Sequence, residues 1–247
     1  MFLSKLPDFP SRGECLLHRF PSHAELELRN PKAKNAISIQ MMAQLHEIVA
    51  QLEDNPPTCL IIFGDELFCS GGDLQDVRHH LMDEASEMSS YMTDLLDRVK
   101  KLPSFVIAAV DGAAIGGGAE ICTVADYVIC NVNATIGFVH ARLGVSPGWG
   151  GAKRLISKVG KSQALYLLAT AERYDAGTLE RMRLVDQISR NGTAVETARE
   201  LVNKISFSNK EAVQSVIQIV KQNACEQSAF VTLWGSKSHR QALGLDE

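Results

Sequence analysis

Ala113-Ala114-Ile115-Gly116-Gly117-Gly118-Ala119-Glu120 reads as an apolar strand that turns through three glycines into a helix opening with a carboxylate. Glycine has no Cβ, so the main chain at Gly117 is open to close approach by a ligand oxygen. The helix adds unpaired first-turn N–H groups and the positive end of its dipole. Such a site suits a phosphate or the oxyanion of a carbonyl that gains charge during reaction. No Lys or Ser/Thr follows the glycines, as a phosphate loop requires, and the G-x-G-x-x-G pattern of dinucleotide sites is absent. Glu120, three residues past Gly117, shares a helix face with that amide. The competing reading is that the glycines only let the helix pack against a strand, with Glu120 an ordinary first-turn acid.

A second segment favours the oxyanion. Phe68-Cys69-Ser70-Gly71-Gly72-Asp73-Leu74 follows the apolar run Cys59-Leu60-Ile61-Ile62-Phe63 and precedes a charged stretch around Arg78-His79-His80. Two glycine-lined strand ends can supply two N–H donors to one oxygen. Around them, Glu25 to Leu28 alternates as a short strand, and Phe105 to Val110 and Tyr127 to Cys130 read as buried strands. Met41, Met42, Leu45, Ile48, Val49 and Leu52 recur at helical spacing, with Ser38 as N-cap. Strand and helix alternate as in an α/β fold, and the chain from Val195 onward is mainly helical by pattern, with little punctuation between Lys210 and Val231.

Together with Leu143-Gly144, Pro147-Gly148, Gly150-Gly151 and Arg154-Leu155, these segments resemble the enoyl-CoA hydratase (crotonase) superfamily, in order and spacing, over nearly the whole chain. The resemblance implies an α/β crotonase (ClpP-like) fold of repeated ββα units. Residues 1–194 would form the core and 195–247 a helical region packing on it or on a neighbouring subunit, in homotrimers or hexamers. It implies an acyl-CoA substrate whose thioester carbonyl lies between the amides of Gly72 and Gly117. Ser70 and Asp73 then count as substrate-binding positions beside Gly72. Lys34-Asn35-Ala36-Ile37 resembles the segment near the adenine end of coenzyme A, which makes Lys34 and Ala36 binding candidates; Lys34 equally reads as a solvated loop lysine.

Hydratases of this superfamily use two glutamates. The first corresponds to Glu120, and the second falls on His140. Phe138-Val139-His140 with Leu143-Gly144 and Pro147-Gly148-Trp149-Gly150-Gly151 resembles the ethylmalonyl-CoA decarboxylase branch, as does Thr232-Leu233-Trp234-Gly235 more weakly. The expected activity is therefore decarboxylation of a short branched malonyl-type thioester, ethylmalonyl-CoA or methylmalonyl-CoA. His140 would orient the departing carboxylate or protonate the enolate, since imidazole can do either near neutral pH; otherwise it is a loop histidine satisfied by a carbonyl. Glu120 would donate the proton only if burial kept it protonated. Phe138, Val139 and Trp149 would line an apolar pocket or simply fill the core. The alternatives are a hydratase or isomerase with one glutamate, and a non-catalytic binding module.

Composition adds bounds. A chain of 247 residues, 45% hydrophobic, can bury one large core. Its net charge of −4 provides no basic surface for nucleic acid. Six cysteines form no C-x-x-C pair and read as buried thiols of a reducing compartment, with Cys69 a partly exposed exception. Met1 to Pro7 shows no leader pattern, and no run reaches the roughly 18 apolar residues of a membrane span. A cytosolic protein follows as the expectation. The histidines show no metal spacing, so no metal and no organic cofactor is expected, coenzyme A arriving as part of the substrate.

Overall fold

A computed structural model describes residues 12–81 and 83–245, with His80 and Leu81 by their backbone alone. The reading of Met1 to Pro7 lies outside them, as does the His80 side chain. The strands are β1 (Glu14–Arg19), β2 (Ala24–Arg29), β3 (Cys59–Gly64), β4 (Phe105–Val110), β5 (Ala113–Ile115), β6 (Tyr127–Asn131), β7 (Thr135–Gly137), β8 (Arg173–Asp175) and β9 (Gln187–Ser189). They form a six-stranded sheet, β1-β2-β3-β4-β6-β9, and a three-stranded one, β5-β7-β8. All neighbours in the large sheet are parallel except β1 and β2. The chain sends one strand to the large sheet and the next to the small one, β4 then β5 and β6 then β7, as the ββα pattern requires.

The helices are α1 (Ile39–Asp54), the single turn α2 (Leu74–Asp76), α3 (Ala85–Lys101), α4 (Gly117–Cys122), α5 (Gly151–Val159), α6 (Lys161–Thr170), α7 (Ala176–Arg181), α8 (Ala194–Ser206), α9 (Lys210–Gln222), α10 (Glu226–Leu233) and α11 (Lys237–Ala242). Ser38 caps α1 as expected, its Oγ accepting from Met41 N at 3.2 Å. Strand β4 is buried on both faces because side chains alternate with period two. Val106, Ala108 and Val110 enter the main core, whereas Ile107 and Ala109 meet Ala194, Ala198 and Val202 of α8 on the opposite face.

The short strand expected over Glu25 to Leu28 is β2, and two other expectations needed correction. Strand β2 alternates, but its polar face is buried: Glu25 is only 2% exposed, because Arg199 of α8 reaches across to it at 2.7 and 2.8 Å. Burial alone would raise the Glu25 pKa; the Arg199 and His23 hydrogen bonds and charges outweigh it and hold the carboxyl below its ordinary 4.5. The helical tail breaks at Asn223, in the left-handed region with φ +53°, which separates α9 from α10. Cys69 is fully buried, its thiol pKa pushed up to about 12 by desolvation, while Cys225 is the exposed cysteine. Among the described residues no group of His, Cys, Asp and Glu could hold a metal ion, and no helix is long and apolar enough to cross a membrane.

Candidate active site

Two isolated parallel bridges bring the glycine segments together, Ile37 with Gly72 and Cys69 with Ala114. In the first, Ile37 N–H donates to the Gly71 carbonyl at 2.8 Å and Asp73 N–H to the Ile37 carbonyl at 3.0 Å. A strand's polar groups alternate sides, so the N–H of the intervening Gly72 points away from Ile37, toward β5 and α4. Proximity to α4 is direct: a Cβ on Gly71 would stand 3.3 Å from the Gly117 nitrogen. At the start of α4, Gly116 turns the chain with φ +58° and ψ −120° and gives its N–H to the Gly137 carbonyl at 2.8 Å. Among the described residues, no acceptor takes the N–H of Gly72 or Gly117.

The packing reading of the glycine triplet holds at Gly118. A Cβ on Gly118 would collide with the Cys69 carbonyl, so this glycine lets α4 pack on the strand segment. A Cβ on Gly117 would fall 2.5 Å from Trp149 Cη2, and one on Gly72 would fall 3.5 Å from Trp149 Cζ2. The indole thus covers both amide-bearing residues.

Glu120 is 1% exposed and surrounded by donors. Its Oε2 accepts from Trp149 N at 2.9 Å and Gly151 N at 2.8 Å, and its Oε1 from Gly148 N at 3.2 Å. These amides include the first of α5, so the carboxylate sits at a helix N-terminus, where the dipole favours it. His140 Nε2 is 3.1 Å from Oε1. Through these contacts the carboxylate ties the 148–151 turn and His140 to α4. His140 is 9% exposed, and its other ring nitrogen, Nδ1, is buried without a partner among the described residues. Buried polar atoms are nearly always hydrogen-bonded, so this orphan calls for a ligand.

The remaining candidates divide. Lys34 and Ser70 lie together beside Gly72, joined by Ser70 N–H to the Lys34 carbonyl at 3.1 Å, with Ala36 buried next to them and Lys34 exposed. Asp73 is not presented to the amides. Its carboxylate caps α2, accepting from Gln75 N at 2.8 Å, because a helix start supplies donors closer than any substrate. Phe138, 2% exposed, packs within the main core rather than lining a pocket. Sequence reasoning missed Met88 and Ser89 of α3, which contact Trp149 and Gly148, since α3 reads as an ordinary amphipathic helix. It also gave Arg154 no role. That buried guanidinium joins Thr123 Oγ1 at 3.0 Å, Asp97 at 2.7 Å and the Trp149 carbonyl. A buried arginine beside two glycines was the available signal.

Comparison with known proteins agrees with this geometry. Residues 21–234 match the family described as enoyl-CoA hydratase/isomerase. Ethylmalonyl-CoA decarboxylase of Xenopus laevis is 35% identical, over 97% of this chain and 85% of that protein. The Mus musculus protein of the same name is 34% identical, over 96% and 79%. Among solved structures, an enoyl-CoA hydratase from Bacillus anthracis superposes with a TM-score of 0.85 at 24% identity, covering 93% of this chain and 94% of its own. One from Polaromonas sp. JS666 gives 0.82 at 26%, covering 94% and 96%.

Proposed function

This chain belongs to the enoyl-CoA hydratase/isomerase family of the crotonase superfamily, and from that premise we propose that it decarboxylates a short branched malonyl-type acyl-CoA, ethylmalonyl-CoA or methylmalonyl-CoA. The observation that carries the reading is the pairing of two free amides with a glutamate already fully engaged. Hydration by this family needs two working carboxylates. Here the second position holds His140, and the first carboxylate is held by three amides and that histidine. Decarboxylation asks less of side chains, because the substrate carries its own leaving group. The names of the relatives support the same choice.

In this mechanism the thioester oxygen accepts from the Gly72 and Gly117 amides. The bond from Cα to the carboxylate, standing perpendicular to the thioester plane, breaks and leaves as CO2. Its electron pair passes into the carbonyl to form the enolate, whose charge the amides hold. Each such donor contributes about 3 kcal/mol of transition-state stabilisation in comparable sites. His140 then delivers a proton to Cα, while the contact of its Nε2 with Glu120 steadies the ring in one orientation. The product is the saturated acyl-CoA. Coenzyme A enters with the substrate, past Lys34 and Ala36, and no further cofactor is required. Assembly into trimers or hexamers belongs to the same reading.

The test is CO2 release from ethylmalonyl-CoA and methylmalonyl-CoA, with crotonyl-CoA hydration followed in parallel. Release with negligible hydration is expected. Hydration without release would replace this reading by a one-glutamate hydratase, and silence in both by a binding module.

A further inference from the structure

Trp149 is fastened from several directions. Its indole N–H donates to Met88 Sδ at 3.2 Å, its main-chain N–H to Glu120 Oε2 at 2.9 Å, and its carbonyl accepts from Arg154. Ser89, beside Met88 on α3, donates to the Gly148 carbonyl at 2.6 Å, which ties the preceding residue to the same helix. The residue is 5% exposed. Swinging such a ring aside would break the sulfur contact and force it off its rotamer, leaving a buried indole N–H unpaired.

The benzo edge of this held ring faces the oxyanion glycines. Cη2 and Cε3 lie 2.5 and 2.7 Å from where a Gly117 Cβ would stand, and Cζ2 lies 3.5 Å from the corresponding point on Gly72. The ring therefore covers the Cα side of both glycines, and an acyl group whose carbonyl oxygen reached both amides would have to pass it. A methyl or ethyl branch can lie along the ring; a longer chain runs into it.

We infer that Trp149, held in place by Met88 of α3, sets the upper limit on acyl-chain length. The inference rests on the proposed oxyanion role of Gly72 and Gly117, and it adds a size class to the substrate: thioesters with an α-branch of one or two carbons. Met88 acts through Trp149 and is a positioning residue. In an apolar pocket each methylene changes discrimination by about tenfold or more, so a clamped ring separates neighbouring chain lengths.

The experiment is calorimetric binding of propionyl-, butyryl-, hexanoyl- and octanoyl-CoA to the full chain. The first two are the products that methylmalonyl-CoA and ethylmalonyl-CoA would yield, and none requires catalysis. Wild type should bind butyryl-CoA at least tenfold more tightly than octanoyl-CoA. Trp149→Ala should reduce that ratio to near one, and Met88→Leu, which keeps volume but removes the acceptor, should bring it part way. Trp149→Leu is the second variant should the alanine protein fail to fold, and it should shift the ratio in the same direction. Equal binding of all lengths by wild type overturns the inference, as does a ratio unchanged by the Trp149 substitutions. Length-dependent binding without CO2 release from any malonyl thioester would leave the gate standing and overturn the decarboxylase reading alone.

Discussion

Three buried glutamates of this protein each have a histidine nitrogen about 3 Å away, and two of them, Glu25 and Glu120, are completed differently. Glu25, on β2, takes His23 Nε2 at 3.0 Å and a bidentate Arg199, while the other ring nitrogen of His23 is bonded to Ser22 Oγ at 3.0 Å. Glu120, on α4, takes His140 Nε2 at 3.1 Å and three main-chain amides, while His140 Nδ1 has no partner among the described residues. The first cluster is closed and joins α8 to β2, an interior strand of the large sheet. The second is open at one atom, the Nδ1 of His140. A closed cluster stabilises architecture, whereas an open one implies a ligand that closes it.

Substitutions can break that contrast. The largest effect is expected for His140→Ala, where CO2 release should fall by about 10²–10⁴-fold with little change in coenzyme A affinity, because the proton donor is lost and the binding contacts are not. His23→Ala, its counterpart in the closed cluster, should leave turnover within about twofold. Steady-state assays of both proteins check the pair, and equal turnover of His140→Ala and wild type would refute the role given to His140.

Next is Glu120→Gln. The carboxamide brings two N–H groups into a nest of donors, so the 148–151 turn should loosen. A stability loss of about 2–3 kcal/mol is expected by denaturant unfolding, with turnover down by at least about tenfold as Trp149 and His140 lose their anchor. Glu25→Gln should affect stability alone.

Arg199→Leu sharpens the comparison from the structural side. It leaves Glu25 buried with only His23, and because the guanidinium is partly exposed the expected loss is about 2 kcal/mol at pH 7, discounted for solvent screening. The sign with pH follows from the depressed Glu25 pKa. Its contribution is full above about 4.5 and is lost as pH falls through the lower folded-state value, so wild type and variant should converge in acid. Urea unfolding between pH 3 and 7 measures this.

The smallest effect is Ser38→Ala, far from both clusters. Loss of the α1 cap should lower stability by about 1 kcal/mol without altering turnover, as thermal melting and an activity assay would register.

Much of this was legible in the chain. Strands β3, β4 and β6, the α1 cap and the turn at Gly116 all follow from local rules, side-chain period, glycine placement and cap chemistry, whereas the two amide donors were expected from the family resemblance alone. Asp73 was misread because a cap and a ligand site call for the same residue type. Phe138 read equally as pocket wall or core, because the two share apolar residues. Cys69 was misread because adjacency to glycines says nothing about which way a thiol points. Met88 was invisible, since a methionine on an amphipathic helix carries no mark of what its sulfur will touch.

The sequence by itself determined β3, β4, β6 and the capped helix α1, because those depend on residues within one turn or strand of each other. Only the tertiary structure decided which partners complete each buried charge. Glu120 meets amides 28 to 31 residues ahead, Trp149 meets a sulfur 61 residues behind, and Glu25 meets a guanidinium 174 residues away. A buried carboxylate must find donors, but the chain's path through space settles whether they are amides, an arginine, or a histidine with one nitrogen left open.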